Sequence, residues 1–223
     1  VTPSCLLIVN FVCVPLGLPA VIGNVLGMAL GSVAAFVMCR RFPALVAPKH
    51  EQKPENPPIT PEKNPNYGVI WTLRRVLADF SEAPFYGNEW ASLGMRAGVL
   101  LAYALSPLSP AYGSGLLLHI VAAQALTSLV GVIVWRRQWQ IRGWYPTYVP
   151  LVSVVPAAVL TYGGGYTVMI ASALLGALIA PPLACAIAHR LPKYLHPYIG
   201  NVLSMAISTL VIVPVIGFLT SNS

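Results

Sequence analysis

The chain has 223 residues, 57% of them hydrophobic and only 9% charged. A water-soluble domain carries about 25% charged residues, so this chain cannot cover a globular surface with ionic groups and is expected in a bilayer. Its formal charge of +7 comes from Lys and Arg flanking apolar runs, a signature of membrane topology that argues against a nucleic-acid partner.

Residues 5–39 form one apolar stretch, longer than the roughly 20 residues of a single span, and Pro15, Gly17, Pro19 and Gly23 interrupt it. It divides into an N-terminal hydrophobic segment, 5–18, either a truncated span or a re-entrant piece, and a full span, 20–39, closed by Arg40 and Arg41. The chain opens on Val1, and residues 1–4 carry no basic n-region of the kind that begins a signal peptide; an upstream segment is left open. Residues 42–68 are rich in proline and charge, which predicts a solvated linker without a core. All six acidic residues lie between positions 51 and 89.

An interfacial segment is predicted over 69–89. Within it Ile70, Leu73, Val76, Leu77 and Phe80 recur at helical spacing opposite Arg74, Arg75 and Asp79, the pattern of a helix lying on the membrane surface. A cytosolic extension of the next span would show the same pattern. The remainder, 90–223, is expected to be a bundle of five spans: 90–107, 115–135, 148–162, 166–189 and 198–219. The fourth of these should be broken at Pro181-Pro182, and the fifth contains Pro214. Trp135, Trp139, Trp144, Tyr145 and Tyr148 cluster where the second leaves the bilayer, as an interface belt does. Cys5, Cys13, Cys39 and Cys185 sit in apolar runs without CxxC spacing, which suggests buried thiols, with no disulfide framework and no metal centre.

Placing the linker inside puts the loops 136–147 and 189–196 on the same side, with nearly every basic residue, and leaves the loops 107–114 and 163–165 outside without one. The expected fold is therefore an all-α polytopic integral membrane protein of about six main transmembrane helices plus the N-terminal hydrophobic segment. Bacterial plasma membrane is the expected location, with the linker cytoplasmic. An internal repeat lies within this frame: residues 22–30, IGNVLGMAL, match residues 199–207, IGNVLSMAI, at seven of nine positions. With six spans the two copies enter from opposite faces, the inverted arrangement from which many transporters build a site near the midplane.

Gly23, Asn24, Gly200 and Asn201 are the first candidates for a solute site, since Asn can cap a helix start and Gly allows close backbone approach. Plain capping and packing explain the same residues. His119 and Gln124, read as mid-span polar residues, are further candidates for binding or, for His119, proton relay; hydrogen bonding between helices is the simpler account. Arg96 either holds an anion or snorkels to the headgroups. Asp79, Glu82 and Glu89 are expected to be solvated, unless 80–90 folds into a vestibule. The chain contains no HExxH, GxSxG or Walker sequence and no cluster of His or Cys ligands. It is thus expected to be a permease for a small polar or anionic solute, not an enzyme, with no cofactor. The alternative is a non-transporting scaffold subunit. Expected partners are the lipid bilayer, the solute and, by homo-oligomerisation or otherwise, further membrane subunits.

Overall fold

The structure, a computed structural model, describes residues 8–13, 15–17, 20–42, 67–83, 87–105, 115–192 and 195–221. The predicted linker therefore lies almost wholly outside the described residues, and the loop 107–114 lies wholly outside them. Every regular element among the described residues is helical. After a π-helical turn at Val9–Cys13 come α1 (Ala20–Arg41), α2 (Val69–Ala78) with a 3-10 turn at Asp79–Ser81, α3 (Glu89–Leu105), α4 (Leu117–Val134) and α5 (Arg136–Arg142). Then follow α6 (Val149–Val152), α7 (Val154–Tyr162), α8 (Tyr166–Arg190) and α9 (Tyr198–Ser221). Three of them, α4, α8 and α9, are long and apolar enough to cross a membrane.

The centre of the bundle is α8, which packs against α9, α4, α7 and α6. A line of small residues permits this: Ala173, Gly176, Ala177, Ala180 and Ala184 are all buried. Facing them, α9 runs antiparallel, with the Ser204 hydroxyl donating to the Ala180 carbonyl at 2.7 Å. Gly200 sits so close to α8 that a Cβ there would stand 2.7 Å from the Ala188 nitrogen. Away from this contact Leu210, Val211, Val215 and Phe218 are exposed. Apolar groups outside and small polar groups inside are what a lipid-facing helix requires. On its other flank α8 runs beside α4 in the same direction, with His119 against Gly164 at one level and Gly131 beside Ala177 further along. At the end of α5 the chain turns back through Gly143, whose φ of +70° is the left-handed geometry of a glycine after a helix terminus.

Four expectations need correction. First, α8 is unbroken at Pro181-Pro182. Pro181 has no N–H for the Ala177 carbonyl one turn back, but the Trp135 indole donates to that oxygen at 2.8 Å. Second, the segment 148–162 is interrupted: α6 and α7 meet at Ser153, whose φ of −127° and ψ of −78° lie off the helix. Third, the Gly-Asn pairs of the repeat do not start their helices. Asn24 lies within α1, which begins at Ala20, and Asn201 lies in the first turn of α9, which begins at Tyr198. Pro19 and Pro197 stand immediately before those starts, where a residue without an N–H costs no helical bond. Fourth, Asp79, expected to be solvated, is buried with Thr72, Ala78 and Phe80, while Val69, Ile70 and Leu73 are exposed.

Candidate functional site

Two polar centres share one buried loop. The first is built on α2, which runs antiparallel to α4. Near the end of α4, Arg136 donates to the Thr72 hydroxyl at 2.9 Å, and further back along it Ser128 donates to Asp79 Oδ2 at 2.7 Å. Ser128 is six residues short of Val134, so at 1.5 Å per residue Asp79 is held about 9 Å back from that end. The chain then reverses. Ser81 accepts from Ser92 at 2.8 Å, the Arg96 guanidinium lies 3.9 Å over the Phe80 ring, and Tyr103 reaches the Gly115 carbonyl at 3.2 Å. Helix α3 thus packs on α2 and its 3-10 turn, and α2 in turn packs on α4, so that the hairpin of α2 and α3 joins the bundle through α2.

At the tip of this hairpin Arg75 bonds Asp79 Oδ1 at 3.0 Å and Glu82 Oε2 at 2.7 Å. The Thr147 hydroxyl donates to Asp79 Oδ1 at 3.1 Å, and the Trp144 indole donates to Glu82 Oε1 at 2.5 Å. Trp139 lies 4.6 Å under the guanidinium, a cation–π contact. Burial pushes the Asp79 carboxyl above its ordinary value, and Arg75 and the Ser128 and Thr147 hydroxyls offset this only in part. Burial likewise lowers Arg75, but Asp79 and Glu82 together more than compensate and hold it above its usual range. Asp79 and Glu82, expected to be solvated, are therefore partners of one buried cation. Glu89 does face solvent, bridged to the exposed Arg74 at 2.6 Å. Arg96 stacks on Phe80.

The Gly-Asn pair that does cap a helix is Gly87-Asn88. The Asn88 side-chain oxygen accepts from the Ala91 N–H at 2.7 Å, three residues into α3, with Glu89 in the first turn where its charge suits the helix dipole.

The second centre surrounds α6 and α7. Tyr145, Thr147 and Tyr148 of the loop before α6 are each at most 3% exposed. Tyr148 accepts from the Asn201 amide at 3.0 Å and is adjacent in sequence to Thr147, which ties the two centres together. Burial and then the neighbouring Cys185 push the Tyr145 phenol up to about 12. From the opposite side Gln124 on α4 donates through Nε2 to the Leu151 carbonyl at 2.9 Å. Its Oε1 is buried and has no partner.

Of the six residues singled out from sequence, Asn201 and Gln124 reach this centre. Gly200 serves the α8–α9 contact, and Gly23 is buried on α1. The side chain of Asn24 lies outside the described residues. Two residues further on, Leu26 packs against the cluster of Tyr148, Val149, Met205 and Ala206, so the two copies of the repeat do meet. His119 is exposed, at the start of α4 beside Gly164, and is not mid-span. Sequence reasoning missed the burial of Arg75, Asp79 and Glu82. Their spacing of four and seven residues on one helical face was the available signal.

Among the described residues no three His, Cys, Asp or Glu side chains converge as metal ligands. Comparison of the chain with protein-family models, with curated proteins and with solved structures finds no match.

Proposed function

We propose that the chain is a polytopic membrane permease of six main spans that passes a small polar solute, with the copies at 22–30 and 199–207 inserted in opposite senses. The observation that carries this reading is the interruption at Ser153. A helix broken inside a bundle exposes backbone polar groups, and at membrane depth such irregular backbone is tolerated only where protein or a solute path surrounds it. Here Gln124 approaches from α4, and Asn201, through Tyr148, from α9. Buried polar side chains on membrane helices are costly, which favours a functional reason for keeping them.

Stopped-flow light scattering on proteoliposomes challenged with glycerol, urea, acetamide or formate tests the reading. Protein-dependent flux of at least one solute is expected, falling about tenfold or more in Asn201→Ala. Absence of protein-dependent flux across the whole panel would count against a permease. Labelling of single cysteines at positions 24 and 201 from opposite faces checks the inverted insertion.

A second reading, a membrane subunit that scaffolds a larger complex, is favoured by one feature of α3. Gly94 and Gly98 stand four residues apart with nothing within 4 Å of the position of a Cβ, beside the exposed Leu93 and Leu101. Co-purification of stoichiometric membrane partners, lost on Gly94→Leu, would favour it.

A further inference from the structure

The gap between α6 and α7 follows from Pro156. Its ring crowds the Val152 carbonyl one turn back and offers it no N–H, so the helix opens at Ser153. Backbone groups on both sides of Ser153 lose their helical partners in consequence. The Leu151 carbonyl is taken by Gln124 Nε2. The Val152 carbonyl has no helical donor, and the Val154 N–H begins α7 without a capping side chain. The Ser153 hydroxyl, the residue placed to cap it, donates instead to the Val149 carbonyl at 2.8 Å.

Gln124 supplies a second and independent feature. Its side chain is 8% exposed, and the bond to Leu151 fixes which end of the amide is which, because a carbonyl accepts only from nitrogen. The oxygen is therefore held at the gap with no partner. A buried amide oxygen left unpaired costs about 1–3 kcal/mol, a cost that a bound group relieves.

We infer that the gap at Ser153 is a binding subsite for a neutral solute bearing a primary amide or a hydroxyl. The groups the break leaves without a helical or side-chain partner include the Val154 N–H as donor and Gln124 Oε1 and the Val152 carbonyl as acceptors. A primary amide complements all three, its oxygen on the N–H and its two hydrogens on the two oxygens; a hydroxyl satisfies one of each kind. An anion would meet the negative ends of two carbonyl dipoles, and a cation would meet the N-terminal end of α7. The adjoining core includes Ile120, Ala123, Val154 and Val155, an apolar surrounding in which an unpaired charge is costly.

The subsite rests on the permease reading for its role, though binding can be measured apart from flux. The test follows the Val154 and Val155 amide resonances by solid-state NMR of the full chain in lipid during titration with acetamide, glycerol, formate or guanidinium. Saturable shifts with acetamide or glycerol, absent with formate and guanidinium, are expected. Gln124→Leu should weaken the acetamide response roughly tenfold, the equivalent of about one hydrogen bond. Pro156→Ala should abolish it while raising the unfolding temperature, because the rejoined helix closes the gap; loss of binding with gain of stability separates this from misfolding. No response to either neutral probe, an equal response to formate, or a response unchanged in Pro156→Ala would overturn the assignment. Flux without amide shifts leaves a permease lacking this subsite, and shifts without flux leave a binding site in a protein that does not transport.

Discussion

Two prolines of this bundle meet the same local problem with opposite results. Pro181 sits in the middle of α8 and Pro156 in the segment 149–162, and each deprives the carbonyl four residues earlier of its donor. In α8 the deprived oxygen, that of Ala177, receives the Trp135 indole, and the helix continues to Arg190. In the shorter segment Gln124 serves the Leu151 carbonyl, one residue before the oxygen that Pro156 deprives, and the helix parts at Ser153. Proline alone therefore does not decide whether a buried helix breaks. At Pro181 an outside donor serves the deprived carbonyl itself, whereas at Pro156 Gln124 serves its neighbour.

The comparison can be broken from the α8 side. Trp135→Phe keeps the ring and removes the donor, leaving the Ala177 oxygen buried and unpaired; a loss of about 1–3 kcal/mol is expected in equilibrium unfolding. A bend in α8 near Pro181 should accompany it, visible as altered distances between spin labels at its two ends. The same substitution made in a Pro181→Ala background sharpens the point. There the introduced alanine supplies the N–H, so the cost of losing the indole should fall to about 1 kcal/mol or less, and the non-additivity measures the coupling directly. Equal costs in both backgrounds would show that Trp135 stabilises by packing alone.

The smallest effect concerns the ions at the tip of the α2 hairpin. Burial raises the folded-state pKa of Asp79 above its unfolded value of about 3.8. A raised value means that the folded state holds its proton more tightly, so this residue's contribution is fully present below the unfolded pKa. It is lost as pH rises through the folded pKa. Asp79→Asn should remove that fall, leaving stability flatter across the acid range in a pH-resolved unfolding series. Arg75 keeps Glu82 as its partner in the variant, which should preserve the hairpin.

Much of the helical layout was legible in the sequence, because long uncharged runs bounded by Arg pairs or glycine admit few alternatives: α4 ends at Trp135-Arg136, and α8 starts after the glycine run ending at Gly165. The site was legible only in part. Asn201 and Gln124 stand out as polar residues in apolar runs, but their partners, Tyr148 and the Leu151 carbonyl, come from a segment whose fold depends on tertiary contacts. Helix α2 shows a further limit. Period 3.6 separates two faces of 69–80 but does not say which faces the bundle. The spans 20–39 and 198–219 begin where α1 and α9 begin; it is the capping role given to Asn24 and Asn201 that was misplaced, since Pro19 and Pro197 precede the two starts.

The hairpin of α2 also bears on how the protein is made. Synthesis delivers Arg75, Asp79 and Glu82 well before Ser128, Trp144 and Thr147, the groups that receive their charges and hydrogen bonds. Until those later residues exist, sinking three ionic groups toward the hydrocarbon is prohibitively unfavourable. The contacts that hold Asp79 and Glu82 in place can therefore form only once residue 147 has emerged, so the hairpin docks after the segment that follows α5 has been made.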